Sequence, residues 1–129
     1  MLVMNANNFA LEKTIAVGDN PNEMCVSKNG RYLFVANAND NSVSVIDAKQ
    51  AKVIETLNAA LYPDAPSGST SNGVALSGDE KTLYIANADN NCLAVFDFIV
   101  LWLSLILPRQ LPGALSSLCA SMRKIDSPN

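Results

Sequence analysis

Two short runs hold the densest chemistry in this chain: Asn37, Ala38, Asn39, Asp40, Asn41 and, further on, Asn87, Ala88, Asp89, Asn90, Asn91. Clustered Asp and Asn oxygens suit hard cations such as calcium. The twelve-residue loop with its glycine and closing Glu is absent, however, and Asn at a turn serves another purpose equally well. Its side chain bonds the local backbone and it tolerates left-handed φ. The runs are therefore read as turns. Asn37 and Asn87 tie the turn they open, Asp47 and Asp97 tie the turn that follows, and no metal or cofactor is assigned.

Catalytic constellations are scarce. The sequence contains no histidine, which removes the usual general base and the commonest zinc and haem ligand. Its serines have no G-x-S-x-G elbow, so a serine triad lacks both base and scaffold. Asp79 and Glu80 adjoin at a hairpin tip, where solvated charge is the ordinary outcome. Cys25, Cys92 and Cys119 are odd in number and at no ligand spacing, so neither a closed disulfide framework nor a zinc site follows. A net charge of −3 with scattered basic residues gives no footprint for nucleic acid. No catalytic residue is assigned, and the chain is read as non-enzymatic.

The elements that hold these turns come from an internal repeat. Residues 24–47, MCVSKNGRYLFVANANDNSVSVID, align without a gap on 74–97, VALSGDEKTLYIANADNNCLAVFD. A second offset places Val3, Asn5, Leu11, Thr14 and Ile15 on Val45, Asp47, Val53, Thr56 and Leu57, and unequal loops on an equal scaffold reconcile the two periods. Each unit reads as four short strands: Met24–Ser27, Arg31–Ala36, Ser42–Ile46 and Lys52–Leu57. The first two are joined by a Lys28-Asn29-Gly30 hairpin that accepts positive φ. Four strands per 40–50 residues is the pattern of a propeller blade. The expected fold is all-β, a partial β-propeller of four-stranded antiparallel blades.

The segments LFVANANDNSVSVID and TLYIANADNNCLAVFD resemble the core of the YVTN β-propeller repeat, and the resemblance covers residues 1–97. Lys28 and Gly78 depart from it, standing where that family usually has proline. The long connection with LYPDAPSGSTSNGVALS is similar to the propeller half of exported proteins that join such a propeller to an alkaline-phosphatase-type phosphoesterase. The resemblance implies a periplasmic or extracellular location, although residues 1–13 do not have the makeup of a signal peptide. A catalytic half has no counterpart in the sequence.

Strand direction alternates within a blade, so connections between second and third strands share one surface with connections between blades. Asn39, Asp40, Asn41, Asp89, Asn90, Asn91 and the loop 58–72 with Tyr62, Asp64 and Ser67 are accordingly expected on one face, where loops on a rigid scaffold commonly bind. The strand count is two, four and three, so apolar faces are expected to be left open at both ends. The partners that follow are the remaining blades of a parent propeller, self-association of the isolated chain, and a protein or small-molecule ligand.

Beyond Asp97 the repeat and the composition fail together. Residues 98–129 are leucine-rich and carry asparagine only at Asn129. They read as an irregular apolar tail outside the 1–97 repeat unit. Three accounts fit: a frame-shifted or out-of-frame end, which explains the joint failure best; a divergent fourth strand at 103–107; or a membrane anchor. The last is disfavoured because the apolar run 98–107 is half the ~20 residues a spanning helix needs. The leading functional expectation is a non-catalytic binding or scaffold module; the alternatives are part of a lactonase-like propeller enzyme and a cell-surface interaction protein.

Overall fold

The computed structural model describes residues 1–60, 62, 66–68 and 70–97. The expectations placed on 98–129, including a fourth strand at 103–107, lie outside them. The described residues form nine strands: β1 (Leu2–Met4), β2 (Leu11–Thr14), β3 (Pro21–Val26), β4 (Tyr32–Asn37), β5 (Ser42–Asp47), β6 (Lys52–Asn58), β7 (Ser71–Leu76), β8 (Thr82–Asn87) and β9 (Cys92–Asp97). They make three antiparallel sheets in the orders β1-β2, β3-β4-β5-β6 and β7-β8-β9. This is a partial propeller with one four-stranded blade between two incomplete ones. The innermost strand starts earlier than the repeat suggests, at Pro21, because Pro21 pairs with Asn37 beyond a register shift. Proline is tolerated there as the first residue of a strand.

The two central strands of the middle blade, β4 and β5, are buried on both faces, which explains why β4 is apolar at every position before Asn37 and why the polar residues of β5, Ser42, Ser44 and Asp47, are buried as well. Phe34, Ala36, Val43 and Val45 pack with Val74, Leu83, Ile85 and Phe96 of the third blade. Val35 and Ile46, on the other face, pack with Ile15 and with Val3 and Val17 of the first. Period-2 alternation thus splits one strand between two cores.

The hairpin tips repeat the same chemistry with different residues. Asn29 Oδ1 accepts from Ser27 Oγ at 2.7 Å and from Arg31 N at 2.9 Å, and Gly30 takes a φ of 67°. In the third blade Asp79 Oδ1 accepts from Ser77 Oγ at 2.7 Å and from Lys81 N at 3.1 Å, while Glu80 takes the left-handed position at 59°. The tips also touch each other. Lys28 Nζ donates to Gly78 O, and Lys28 N donates to Glu80 Oε1 at 2.5 Å. Glu80 is therefore an inter-blade acceptor and not only a solvated charge.

Candidate functional site

The opposite end of the strands gathers the Asn-rich turns. Asn41 holds a φ of 50° and is buried, and its amide straps the long connection onto the turn. Its Nδ2 donates to Pro66 O at 2.7 Å, its Oδ1 accepts from Gly68 N at 3.0 Å, and its carbonyl accepts from Ala59 N at 2.7 Å. A loop strapped this way pays its ordering cost in folding, before any ligand arrives. The strap closes one side of a concavity of about 230 Å3 lined by Asp40, Asn41, Ser42, Thr56, Asn58, Ala60 and Ser67. Its lining is hydroxyls and amides with one carboxylate.

The site residues named from sequence distribute unevenly around this feature. Asp40, Asn41 and Ser67 meet at the concavity. Asn39 lies at the preceding junction, where its Nδ2 donates to Asp19 Oδ2 at 3.1 Å and Asp40 Oδ2 accepts from Asp19 N at 2.5 Å. Gly18 passes so close to the Asn37 side chain that an added Cβ would sit 2.7 Å from its Cγ. Asp89 lies at the next junction and accepts from Thr70 Oγ1, while Ala88 N donates to Thr70 O at 2.9 Å. Asn91 has a φ of 48° and is exposed, Asn90 is half-buried, and Tyr62 is exposed. Asp64 lies outside the described residues.

Asn37 and Asn87 end β4 and β8 with fully buried amides. Asn37 Nδ2 donates to Ser42 Oγ and Ser44 Oγ, both at 2.9 Å, across its own hairpin. Asn87 reaches instead to the previous blade, donating to Ala59 O at 2.6 Å, and its Oδ1 accepts from Ser71 Oγ at 2.8 Å. Pro21 stands at the place of Ser71 and has no hydroxyl, and among the described residues Asn37 Oδ1 is buried without a donor. Asp47 ties the turn after β5, accepting from Gln50 N at 2.9 Å and facing Arg31 Nε at 3.8 Å. Asp97 sits at the end of β9.

Residue-by-residue reading of the loops missed the inner strands. Asn22 Nδ2 donates to Asn72 Oδ1, joining β3 to β7 through two side chains at the same place in successive repeats. The signal was present, since the offset of 50 that relates 24–47 to 74–97 also carries Asn22 onto Asn72. Cys25 is half-buried against the core between these strands, and burial pushes its thiol up to about 11, against a backbone hydrogen bond from Leu76, which disfavours the reactive thiolate. Among the described residues no three His, Cys, Asp or Glu side chains converge at metal-holding distance.

Charge separates the two ends of the strands. The connections 15–20, 38–41, 59–70 and 88–91 contain no lysine or arginine, while Asp19, Asp40 and Asp89 lie on them. Lys28, Arg31, Lys49 and Lys81 all sit on the opposite turns. The Asn-rich face is thus an acidic, hydroxyl-bearing surface of fixed geometry, unfavourable to anions.

A family model described as lactonase, 7-bladed beta-propeller, matches residues 5–99. Among solved structures, the chain is similar to Kuenenia stuttgartiensis hydrazine synthase, with 28% identity, a TM-score of 0.60 and 73% of this chain covered. The match spans 25% of that chain, so the likeness concerns a fraction of the larger protein. No curated protein sequence matches.

Proposed function

Because the chain belongs to the lactonase, 7-bladed beta-propeller family, we propose that it contributes blades of such a ring and that its Asn-rich face holds a neutral polyhydroxylated ligand, of the sugar or sugar-lactone class. The observation that carries this reading is the Asn41 strap, which fixes the inter-blade loop and shapes the concavity of Asp40, Ser42, Thr56, Asn58 and Ser67. Vicinal hydroxyls complement an array of carboxylate, hydroxyl and amide groups, each able to accept or donate. An anionic ligand would meet Asp19, Asp40 and Asp89 without a compensating cation from the described residues of that face.

In this reading the chain binds and positions, and acid–base work falls to groups on other blades. The absence of histidine from the sequence supports it. The second reading, in which these blades form part of the catalytic centre of a lactonase, is favoured by the family match. The YVTN-like cores 33–47 and 83–97 support an exported parent; one joined to a phosphoesterase part is the version in which catalysis lies wholly outside residues 1–97.

Titration of the full chain with a neutral sugar lactone, its open-chain acid and a phosphate monoester, followed by amide chemical shifts, tests the proposal. The expected result is saturable shifts at Asp40, Asn41 and Thr56 with the lactone, weaker ones with the acid and none with the phosphate ester, all lost in Asp40→Ala. Uniform silence, or preference for the phosphate ester, would sink it. Lactone hydrolysis by the chain alone would favour the second reading.

A further inference from the structure

Met24 and Val26, on β3, are 49% and 58% exposed, an unusual condition for apolar residues on the inner strand of a blade. The repeat says what should cover them. Their counterparts at an offset of 50 are Val74 and Leu76 on β7. Val74 is 5% exposed, and both are packed into the core between the second and third blades. What covers them there is the β3–β4 hairpin, which contacts β7 along both strands.

The first blade, among the described residues, consists of β1 and β2 only, in the places of β5 and β6. Among the described residues, the edge of β1 that corresponds to the β4-facing edge of β5 has no strand beside it. Beside β1 and above Met24 and Val26, one element is thus called for twice over: a hairpin that pairs with β1 as β4 pairs with β5, and packs on β3 as β3 and β4 pack on β7. The surface is continuous with the core of Ile15, Val35 and Ile46, already shared by the first and second blades.

We infer that Met24, Val26 and the open edge of β1 form a docking surface for a two-stranded β-hairpin of this chain's own repeat type, equivalent to β3–β4. Strand addition supplies main-chain hydrogen bonds, and alternate apolar side chains supply the register. The occupant is a hairpin with the β3–β4 pattern, completing the blade that holds β1 and β2, and the site accepts it in trans.

The probe is a synthetic peptide of residues 20–38 with Cys25 replaced by serine, added to the full chain with its methionine methyl groups labelled. The expected result is saturable one-to-one binding with a shift at the Met24 methyl group. Met24→Asp and Val26→Asp should each weaken binding at least tenfold with an unchanged far-ultraviolet dichroism spectrum. Phe9→Ser, at the exposed β1–β2 turn, should leave it unchanged. Failure of the peptide to bind would overturn the inference. So would sedimentation showing that a second copy of the chain covers Met24 and that the peptide does not displace it.

Discussion

The second and third blades are two solutions to one design, and they differ where their neighbours differ. Among the described residues, β4 and β5 have cores on both sides, whereas β8 and β9 have one, towards the second blade. Phe34 is fully buried, yet Tyr84 at the same position of the repeat is half-exposed. Burial is thus set less by residue type than by whether a sheet lies across from it. This gives the largest expected effect. Phe34→Ala should cost about 3–5 kcal/mol, the usual range for a filled core position, and Tyr84→Ala less than half of that, both by urea unfolding. Equal costs would break the comparison, showing that the third blade's outer face is covered in solution.

The paired asparagines sharpen it. Asn87 has both ends of its amide engaged by Ser71 and Ala59, while Asn37 keeps an orphan Oδ1 beneath Pro21. Removing a buried amide costs about 1–3 kcal/mol when its partners are left unsatisfied. Asn87→Ala should therefore fall in that range. Asn37→Ala should cost less, since it also removes an unsatisfied oxygen and its serine partners can rotate to new acceptors. Pro21→Ser restores the missing donor, and in that background Asn37→Ala should become as costly as Asn87→Ala. A double-mutant cycle on Pro21 and Asn37 reads the coupling directly, and zero coupling would remove the explanation.

Much of this was legible in the sequence because the repeat is doubled. All nine strands and their grouping as two, four and three followed from aligning 24–47 with 74–97 and from the shorter offset to Val3 and Leu11. Turn chemistry was legible too, since Asn-Gly at 29–30 demands the left-handed φ that Gly30 adopts. What stayed hidden depends on relations between blades. Nothing local to Asn41 says that Pro66 and Gly68 will bind its amide, because the loop that brings them is not periodic. Likewise Lys28 and Glu80 read as exposed charges until two hairpin tips are set side by side. Asn22 and Asn72 show the intermediate case, where the pairing is implied by the period but lies outside the most similar block.

The smallest expected difference lies at those tips and is a matter of pH. Asn29 and Asp79 make the same two contacts, yet only the latter titrates. Its carboxyl is held below the usual carboxylate range, first by the Ser77 hydroxyl and then by the Lys81 amide. A group whose folded value is depressed contributes stability that is present above its unfolded value, about 3.9 for Asp, and is lost as pH falls through the folded value. The third blade's hairpin should therefore loosen as pH falls below about 4, and the second blade's should not. Asp79 is fully exposed, so solvent screening keeps the effect small. Comparing the wild-type chain with Asp79→Asn by thermal melting between pH 5 and pH 2.5 isolates it from the other carboxylates. The two should melt alike at the acid end, with the wild type gaining relative to the variant as pH rises. A constant difference across the range would mean that the Ser77 and Lys81 contacts hold either protonation state equally, and that the two hairpins are equivalent in chemistry as well as in shape.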